Sequence, residues 1–495
     1  MPDRVQTASP PRESLARAML FKDYLALGVG TIIGVGWVIM AGSWLSKGGP
    51  LGVILGFLLG GLILGAVGLA YAELTPALPL AGGAVAFGYR AFGKGASFLT
   101  GWLLSFAYIT VCPFEAVAIG WLLEYLIPSL KSHTLYSILG YRVSLLSIGG
   151  GILITLCIMA LNFRGVRSSA TFQTISTGLM LLCAIIFISV ALLKGSFRNM
   201  LPLFSASGTQ WASLSSIVAV LGIVPFFMSG FDTIAQGSEE SGKKVPPQEI
   251  GKAVLVSILI GAIFYALVIL ALSLCLPWRE AVNLDMPTVN AFRIAFGYDW
   301  TAKIVLFAAT LGLITSFNGC FLGGCRVVFA LGRGGLLPEW FGKVNKRFQT
   351  PVNAVLFVGL ITLIGPFAGK SSLNPIVNVG SLAYVSGWFM TCLSAVRLRQ
   401  IAPDLVRPYR VKNQSILYLG ALVAGALILL MILPGSPAQL SWPIEYIILS
   451  AWMIFGFLGY KRRMAADDMT EEARAYQILG RYRKTSKGYG RGRQE

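Results

Sequence analysis

Apolar residues in this chain come in long blocks separated by short polar stretches, without the alternation of surface strands or the one-sided stripe of soluble helices. Measured against the roughly 20 residues a helix needs to cross a bilayer, the blocks predict twelve spans. They lie near 24–46, 52–75, 97–125, 143–161, 170–193, 214–237, 253–276, 302–329, 352–368, 374–396, 415–433 and 443–460. An even number puts both chain ends on one side. Two blocks are interrupted by glycine at matching places in the two halves. The first holds Gly30-Thr31-Ile32-Ile33-Gly34-Val35-Gly36-Trp37, and the sixth holds Phe226-Phe227-Met228-Ser229-Gly230-Phe231-Asp232. Lipid offers no hydrogen-bond partner, so a spanning helix normally keeps every backbone amide and carbonyl paired. Glycines clustered at mid-membrane imply a helix that opens to hold something polar. A matched pair of such segments points to the binding site of a secondary transporter.

Composition agrees with that class. Of 495 residues 55% are hydrophobic and 12% charged, against about a quarter charged in soluble proteins, so the chain reads as an integral membrane protein. Residues 1–20 are polar and contain Arg4, Arg12 and Arg17, with no small-residue cleavage site after a short apolar core. The first span is therefore expected to act as its own insertion signal and to remain. The net charge of +19 raises nucleic acid as a partner, but its distribution excludes it. With the ends in the cytoplasm, 31 of the 40 Lys and Arg fall inside and nine outside. That asymmetry is the positive-inside pattern, and it predicts a cell-membrane protein with both termini cytoplasmic. The seven cysteines lie in or beside apolar spans and form no C-x-x-C pair, so no metal centre or redox motif is indicated. His133, the single histidine, falls in a predicted outer loop.

The organisation follows. Residues 1–20 form an N-terminal tail, 21–194 spans one to five, 195–400 spans six to ten, 401–460 spans eleven and twelve, and 461–495 a basic, solvated tail touching anionic lipid. Spans one to five and six to ten can be overlaid with opposite orientation, each set opening on its broken helix. Ala81-Gly82-Gly83 leading to Arg90 is comparable with Arg333-Gly334-Gly335 leading to Lys343. Both features suggest a five-plus-five inverted repeat.

Several stretches resemble the amino acid–polyamine–organocation transporter superfamily. Ile32-Ile33-Gly34-Val35-Gly36 resembles its first-span signature, and Tyr71-Ala72-Glu73-Leu74 with Pro79 and Ala81-Gly82-Gly83 the end of its second span. Ser229-Gly230-Phe231-Asp232, then Glu239-Glu240 and Pro246-Pro247, is similar to its sixth span and following loop. Arg326, Phe329-Ala330, Arg333, Gly335-Leu336-Leu337-Pro338 and Thr350-Pro351-Val352-Asn353-Ala354 resemble its eighth-span exit. The matches run in order over about residues 20–400. The resemblance implies an all-α integral membrane protein of twelve transmembrane helices, with a leucine-transporter-like five-plus-five inverted repeat and two additional C-terminal helices. Spans one, two, six and seven would rock against three, four, eight and nine, with the substrate held between the broken first and sixth.

The residues supply a chemistry for that site. A half-helix restarting near Ile33, Gly34, Val35 and Gly36 offers amide N–H groups and a positive dipole end, which suit a carboxylate. Carbonyls freed around Phe227, Met228, Ser229, Gly230 and Phe231 accept from an ammonium. Together they make a bipolar receptor for an amino acid; glycine permits the close backbone approach. The spacing Gly30-x-x-x-Gly34 also suits plain helix packing. Val35 stands where the family often has a hydroxyl, and Trp37 replaces a smaller residue. Glu115 lies near the middle of span three, where an ionisable group costs at least about 2.5–3.5 kcal/mol and must face a cavity or a partner. It can bind an ammonium or guanidinium, or take up a proton. Asp232 occupies the family's acidic position after the break, as a gate or proton sensor. Phe226 matches an aromatic lid; Trp388, with Tyr108 and Asn318, is a further pocket or gating candidate. Glu73 and Arg326 are expected to hold a closed inner gate.

The coupling lysine of proton-driven relatives would fall at Met180, so that switch is absent. Thr315 and Ser316 can lend hydroxyls to sodium, but such groups usually bond their own backbone. A proton on Glu115 or Asp232, or ion-free exchange, is favoured over sodium, and no cofactor or metal is indicated. An intramembrane enzyme would need a nucleophile with a base, or a metal cluster, at one depth; a channel would show charged rings or repeated pore patterns. Neither is present in the sequence. The expected partners are the lipid bilayer and a small substrate, an amino acid or, alternatively, a polyamine or other organic amine.

Overall fold

The computed structural model describes residues 12–127, 134–138, 140–206, 209–297 and 299–483. His133 and the ends of both predicted tails lie outside them. Among the described residues the chain is all-α apart from one hairpin, β1 (Thr134–Ile138) antiparallel to β2 (Tyr141–Ser144). In order the helices are α1 (Phe21–Ile32), α2 (Gly36–Ile39), α3 (Ala41–Ala77), α4 (Gly83–Phe92), α5 (Lys94–Leu126), α6 (Leu145–Phe163) and α7 (Val166–Lys194). There follow α8 (Gln210–Leu221), α9 (Val224–Phe227), α10 (Thr233–Gln236), α11 (Pro247–Cys275), α12 (Trp278–Ala281), α13 (Pro287–Phe296) and α14 (Asp299–Arg333). The chain ends with α15 (Val352–Thr362), α16 (Gly365–Ala368), α17 (Leu373–Ile401), α18 (Ser415–Ile432), α19 (Ile444–Ala465) and α20 (Glu471–Leu479).

Among the described residues ten helices are long and apolar enough to cross a membrane. Two shorter apolar segments, Gln210–Leu221 and Val352–Ala368, stand where the sixth and ninth spans were expected. The helix starts are written locally. The Ser144 hydroxyl accepts from the Ser147 amide (3.0 Å) before α6. The Thr209 hydroxyl accepts from Ala212 (3.1 Å) before α8, and Pro247 opens α11, where a missing N–H costs nothing. Between the first two predicted spans there is no loop. The turn is made inside α3 at Gly49, whose φ of +66° suits glycine, with Pro50 following.

The core is formed by α1, α3, α5, α11, α14 and α17, which pack on one another. The outer helices turn large apolar side chains outward: Leu153 on α6, Leu182 and Ile185 on α7, Leu422 and Leu429 on α18, Phe455 on α19. In water such a belt would be unfavourable; in lipid it is the expected surface.

The expectation of a solvated C-terminal tail fails at α20. Capped by Thr470, whose hydroxyl accepts from Ala473 (3.2 Å), α20 packs under the ends of α4 and α14. Ile478 and Leu479 are buried, and the fully buried Arg474 donates to the carbonyls of Gly334 (2.7 Å) and Gly335 (3.2 Å) and pairs with Asp467. The first described residue, Arg12, donates to the Gln477 carbonyl (3.1 Å). Both described ends therefore meet on one face of the bundle, called here the terminal face.

Candidate functional site

Both glycine-centred segments are broken. Between α1 and α2, Ile33 has φ −91° and ψ 80°, and the helix resumes at Gly36. Between α9 and α10, residues 228–232 leave the helix, and Gly230 has φ +130°, a conformation natural to glycine alone. The breaks touch. A Cβ at Gly230 would lie 2.7 Å from the Ile32 amide nitrogen and 2.9 Å from the Thr31 backbone. Among the described residues no hydrogen bond reaches the carbonyls of Phe227, Met228 or Ser229. The Gly230 carbonyl is taken by Thr233 (amide, 3.1 Å). On the other side, Tyr265 of α11 donates to the Ile32 carbonyl (2.7 Å), capping the end of α1.

Glu115 of α5 is brought onto the first break. A Cβ at Gly34 would collide with its carboxyl group and lie 3.0 Å from Ser316 Oγ, and the Val35 amide also faces that carboxyl. The residue is 1% exposed, and its Oε2 has no hydrogen-bond partner. Leaving an acceptor unpaired in a buried place is unfavourable by about 1–3 kcal/mol, more if charged. At the same depth, Gly36 sits against Phe227, whose ring packs on Trp44 (centroids 4.6 Å). Phe226 packs on Phe114 (5.2 Å) and lies against Gly380 of α17. Trp37 points away from the break and stacks on Phe187 of α7 (5.0 Å).

Asp232 is fully buried and fully served. Tyr108 Oη donates to its Oδ2 (2.7 Å), Trp388 Nε1 to the same oxygen (2.9 Å), and the Gly230 amide to Oδ1 (3.0 Å). One carboxylate thus ties the sixth-segment break to α5 and α17. Phe231 turns to that side, against Tyr71 and Trp388. Three expected pocket residues, Tyr108, Trp388 and Phe231, are therefore gathered around Asp232, while Glu115, Ser316 and residues 33–36 form a separate group.

Asn318 lies in neither group. It accepts from Asn162 (2.9 Å) and Ser169 (3.0 Å) and donates to Gln173 (2.9 Å), whose amide donates in turn to the Thr315 carbonyl (3.0 Å). This chain of amides fastens α6, α7 and α14 together. Where a coupling lysine would fall, Met180 brings its sulfur to α14: a Cβ at Gly312 would lie 3.2 Å from it and 2.9 and 3.0 Å from the Ile33 and Gly34 carbonyls. The Thr315 hydroxyl donates to its own helix, at the Leu311 (2.9 Å) and Gly312 (3.0 Å) carbonyls.

Ion pairs close the terminal face. Just beyond α10, Glu240 receives Arg326 of α14 (2.6 and 3.1 Å), both side chains 1% exposed. Its neighbour Glu239 receives Arg333 (2.9 and 3.0 Å), Arg12 (3.1 and 3.2 Å) and the Ala81 amide (2.8 Å). Burial pushes the Glu239 carboxyl up, but Arg333 and Arg12 outweigh it and hold it at about 2. Arg12 itself is lowered by burial and by repulsion from Arg333. Glu73 pairs instead with Arg399 and Arg407 (3.2 Å) and accepts from the Val411 amide (2.8 Å), joining α3 to α17 and the loop after it. Sequence reasoning missed Tyr265, Gln173 and the Arg12–Glu239–Arg333 cluster. Gln173 carried a signal, a carboxamide inside an apolar span; the partners of the others lie 94 residues away or more.

The amino acid permease family model matches residues 21–458, nearly the whole chain. The branched-chain amino acid permease BcaP of Bacillus subtilis is 26% identical over 468 residues, covering 92% of this chain and 94% of the relative. The methylthioribose transporter of the same organism is 27% identical over 82% of this chain and 86% of its own. Cationic amino acid transporter 4, vacuolar, of Arabidopsis thaliana is 28% identical over 79% of this chain and 64% of its own. On these matches and on its broken, multi-pass helical fold, the chain belongs to the amino acid permease family of the amino acid–polyamine–organocation superfamily: a membrane transporter, not an enzyme.

Proposed function

We propose that this permease carries amino acids across the plasma membrane by alternating access, with the terminal face in the cytoplasm. The ten long helices and two short ones are read as twelve spans, the first ten as an inverted repeat and α18 and α19 as the additional pair. The carrying observation is the contact between two glycine-centred breaks deep in the core, one edged by three unpartnered carbonyls and the other by the start of a half-helix. A zwitterion fits that pairing, with its carboxylate on the amides at Gly34–Gly36 and its ammonium on the carbonyls of Phe227, Met228 and Ser229. Phe226 closes over it, and Trp388 anchors the gate through Asp232.

Glu115 gives the coupling. Its carboxyl faces the Val35 amide, the seat the substrate carboxylate would take. Two carboxylates cannot share that seat, so loading requires Glu115 to accept a proton or to swing away. The Met180 sulfur beside the Ile33 and Gly34 carbonyls supplies no oxygen for sodium, which favours a proton or ion-free exchange. Relatives named for branched-chain and cationic amino acids support amino acids as cargo. The unpartnered Glu115 Oε2 favours one second reading, an organic amine paired with that oxygen.

A thermal-shift series on the purified protein with amino acids, putrescine and spermidine separates them. Amino acids are expected to stabilise more; the reverse ranking would replace the zwitterion by the amine. Saturable uptake with trans-stimulation into proteoliposomes is expected, and uptake linear in concentration would mean a pore.

A further inference from the structure

Beside the ion-paired gate lies a chamber of about 790 Å3 with Arg12, Arg17, Lys243, Arg481 and Arg483 in its wall. These cations come from three distant stretches: the segment before α1, the loop between α10 and α11, and the residues just after α20. Among the described residues the wall holds one carboxylate, Glu239, already shared between Arg12 and Arg333. Among the described residues Arg17 and Lys243 make no hydrogen bond or ion pair, and both are exposed. Arg483 lies over the Tyr476 ring, 5.1 Å from its centroid. Ser238 and Ser241 also line the chamber. Arg17 and Lys243 beside that spent carboxylate leave a positive field in a partly enclosed space, which concentrates anions. The volume suits a small-molecule ligand, and guanidinium groups match the oxygen geometry of phosphate.

We propose that this chamber binds a phosphate-bearing anion, and that the bound anion clamps the terminal face shut. Two sources share the chemistry. The chamber lies beyond Pro79 and Pro247, at the ends of two spanning helices, where a phospholipid headgroup can reach; a free phosphate or pyrophosphate can also enter from solution. The clamp follows from position: the anion would join the N-terminal segment, the end of the broken sixth segment and the C-terminal helix, which must part if substrate leaves on this side. The binding claim stands by itself, and the clamp rests on the alternating-access reading.

The test uses the full-length protein and the double variant Arg17→Gln/Lys243→Gln, which spares the Arg12–Glu239–Arg333 cluster. Thermal stability is measured in neutral detergent at fixed ionic strength, with inorganic pyrophosphate, with short-chain phosphatidylglycerol, and with sodium chloride as control. A saturable rise in unfolding temperature is expected with at least one phosphate-bearing probe, with half-saturation roughly tenfold or more weaker in the variant. A response to pyrophosphate alone assigns a soluble ligand, and one to phosphatidylglycerol alone a headgroup. No response beyond sodium chloride, or an equal response in both proteins, overturns the site. In proteoliposomes the effective probe should slow uptake by the wild type and not by the variant. Binding without slowing refutes the clamp and leaves the site, whereas absence of saturable uptake in both proteins, with or without the probe, refutes the transport reading instead.

Discussion

The Arg326–Glu240 pair offers a direct test of how the terminal face is held. At 2.6 Å, with both side chains 1% exposed, an effective dielectric near 20 gives an attraction of about 6 kcal/mol. Removing each ion from water costs several kcal/mol, so the pair as a whole is close to neutral against a well-packed apolar replacement. The pair is also incompletely served, because Glu240 Oε2 and Arg326 Nη1 are buried without partners. Removing one partner is different: Arg326→Met strands a buried carboxylate and Glu240→Leu a buried guanidinium, each costing about 3–5 kcal/mol. The expected cycle has two strongly destabilised single variants and a double variant, Arg326→Met/Glu240→Leu, that recovers most of the loss. Thermal unfolding of the four purified proteins in detergent reads it. Singles that unfold with the wild type, or a double as unstable as the two losses added together, would refute the reasoning. A recovered double variant in which the buried Cys325, next to Arg326, reacts faster with a thiol reagent would locate the function of the pair in gating.

The other predictions are independent of that pair. Gly230→Ala should lose transport, since the required φ of +130° is foreign to alanine at a cost of about 1–3 kcal/mol; Gly178→Ala, with open space around it, is the control expected to keep uptake. Glu115→Gln should flatten the pH dependence of uptake or cripple substrate-induced stabilisation, and wild-type behaviour in both would remove Glu115 from the mechanism. Glu239, held at about 2, contributes stability present above the ordinary carboxylate range and lost as pH falls towards 2. Glu239→Gln should therefore change the rate of uptake but not the shape of its profile between about pH 5 and 8; a changed shape in that window would contradict the assignment.

What was legible in the chain was what composition alone must announce. Apolar blocks of bilayer length announce spans, and glycines inside two of them announce the breaks at Ile33–Gly36 and Met228–Asp232. An isolated acid such as Glu115 stands out in an apolar block, and the structure seats it on the first break. The sequence also led to Asp232 and Trp388 separately, but their mutual bond depends on how α17 lies against the sixth segment, which no local pattern encodes. Tyr265 looked like one more aromatic, though it caps a carbonyl across the bundle. The tail misled for a related reason. Its charges made it resemble a solvated strand, while the few apolar residues of α20, Ile478 and Leu479, bury against α14.

Arg474 gives that docked helix a consequence for anyone shortening the protein. Its guanidinium is what satisfies the paired carbonyl oxygens at the Gly334–Gly335 corner, sealed from water by the same helix. Cutting the chain ahead of it would expose this corner and unseat Arg12 from Gln477, loosening the first segment as well. The helix Glu471–Leu479 is thus a keystone shared by the two described ends of the polypeptide.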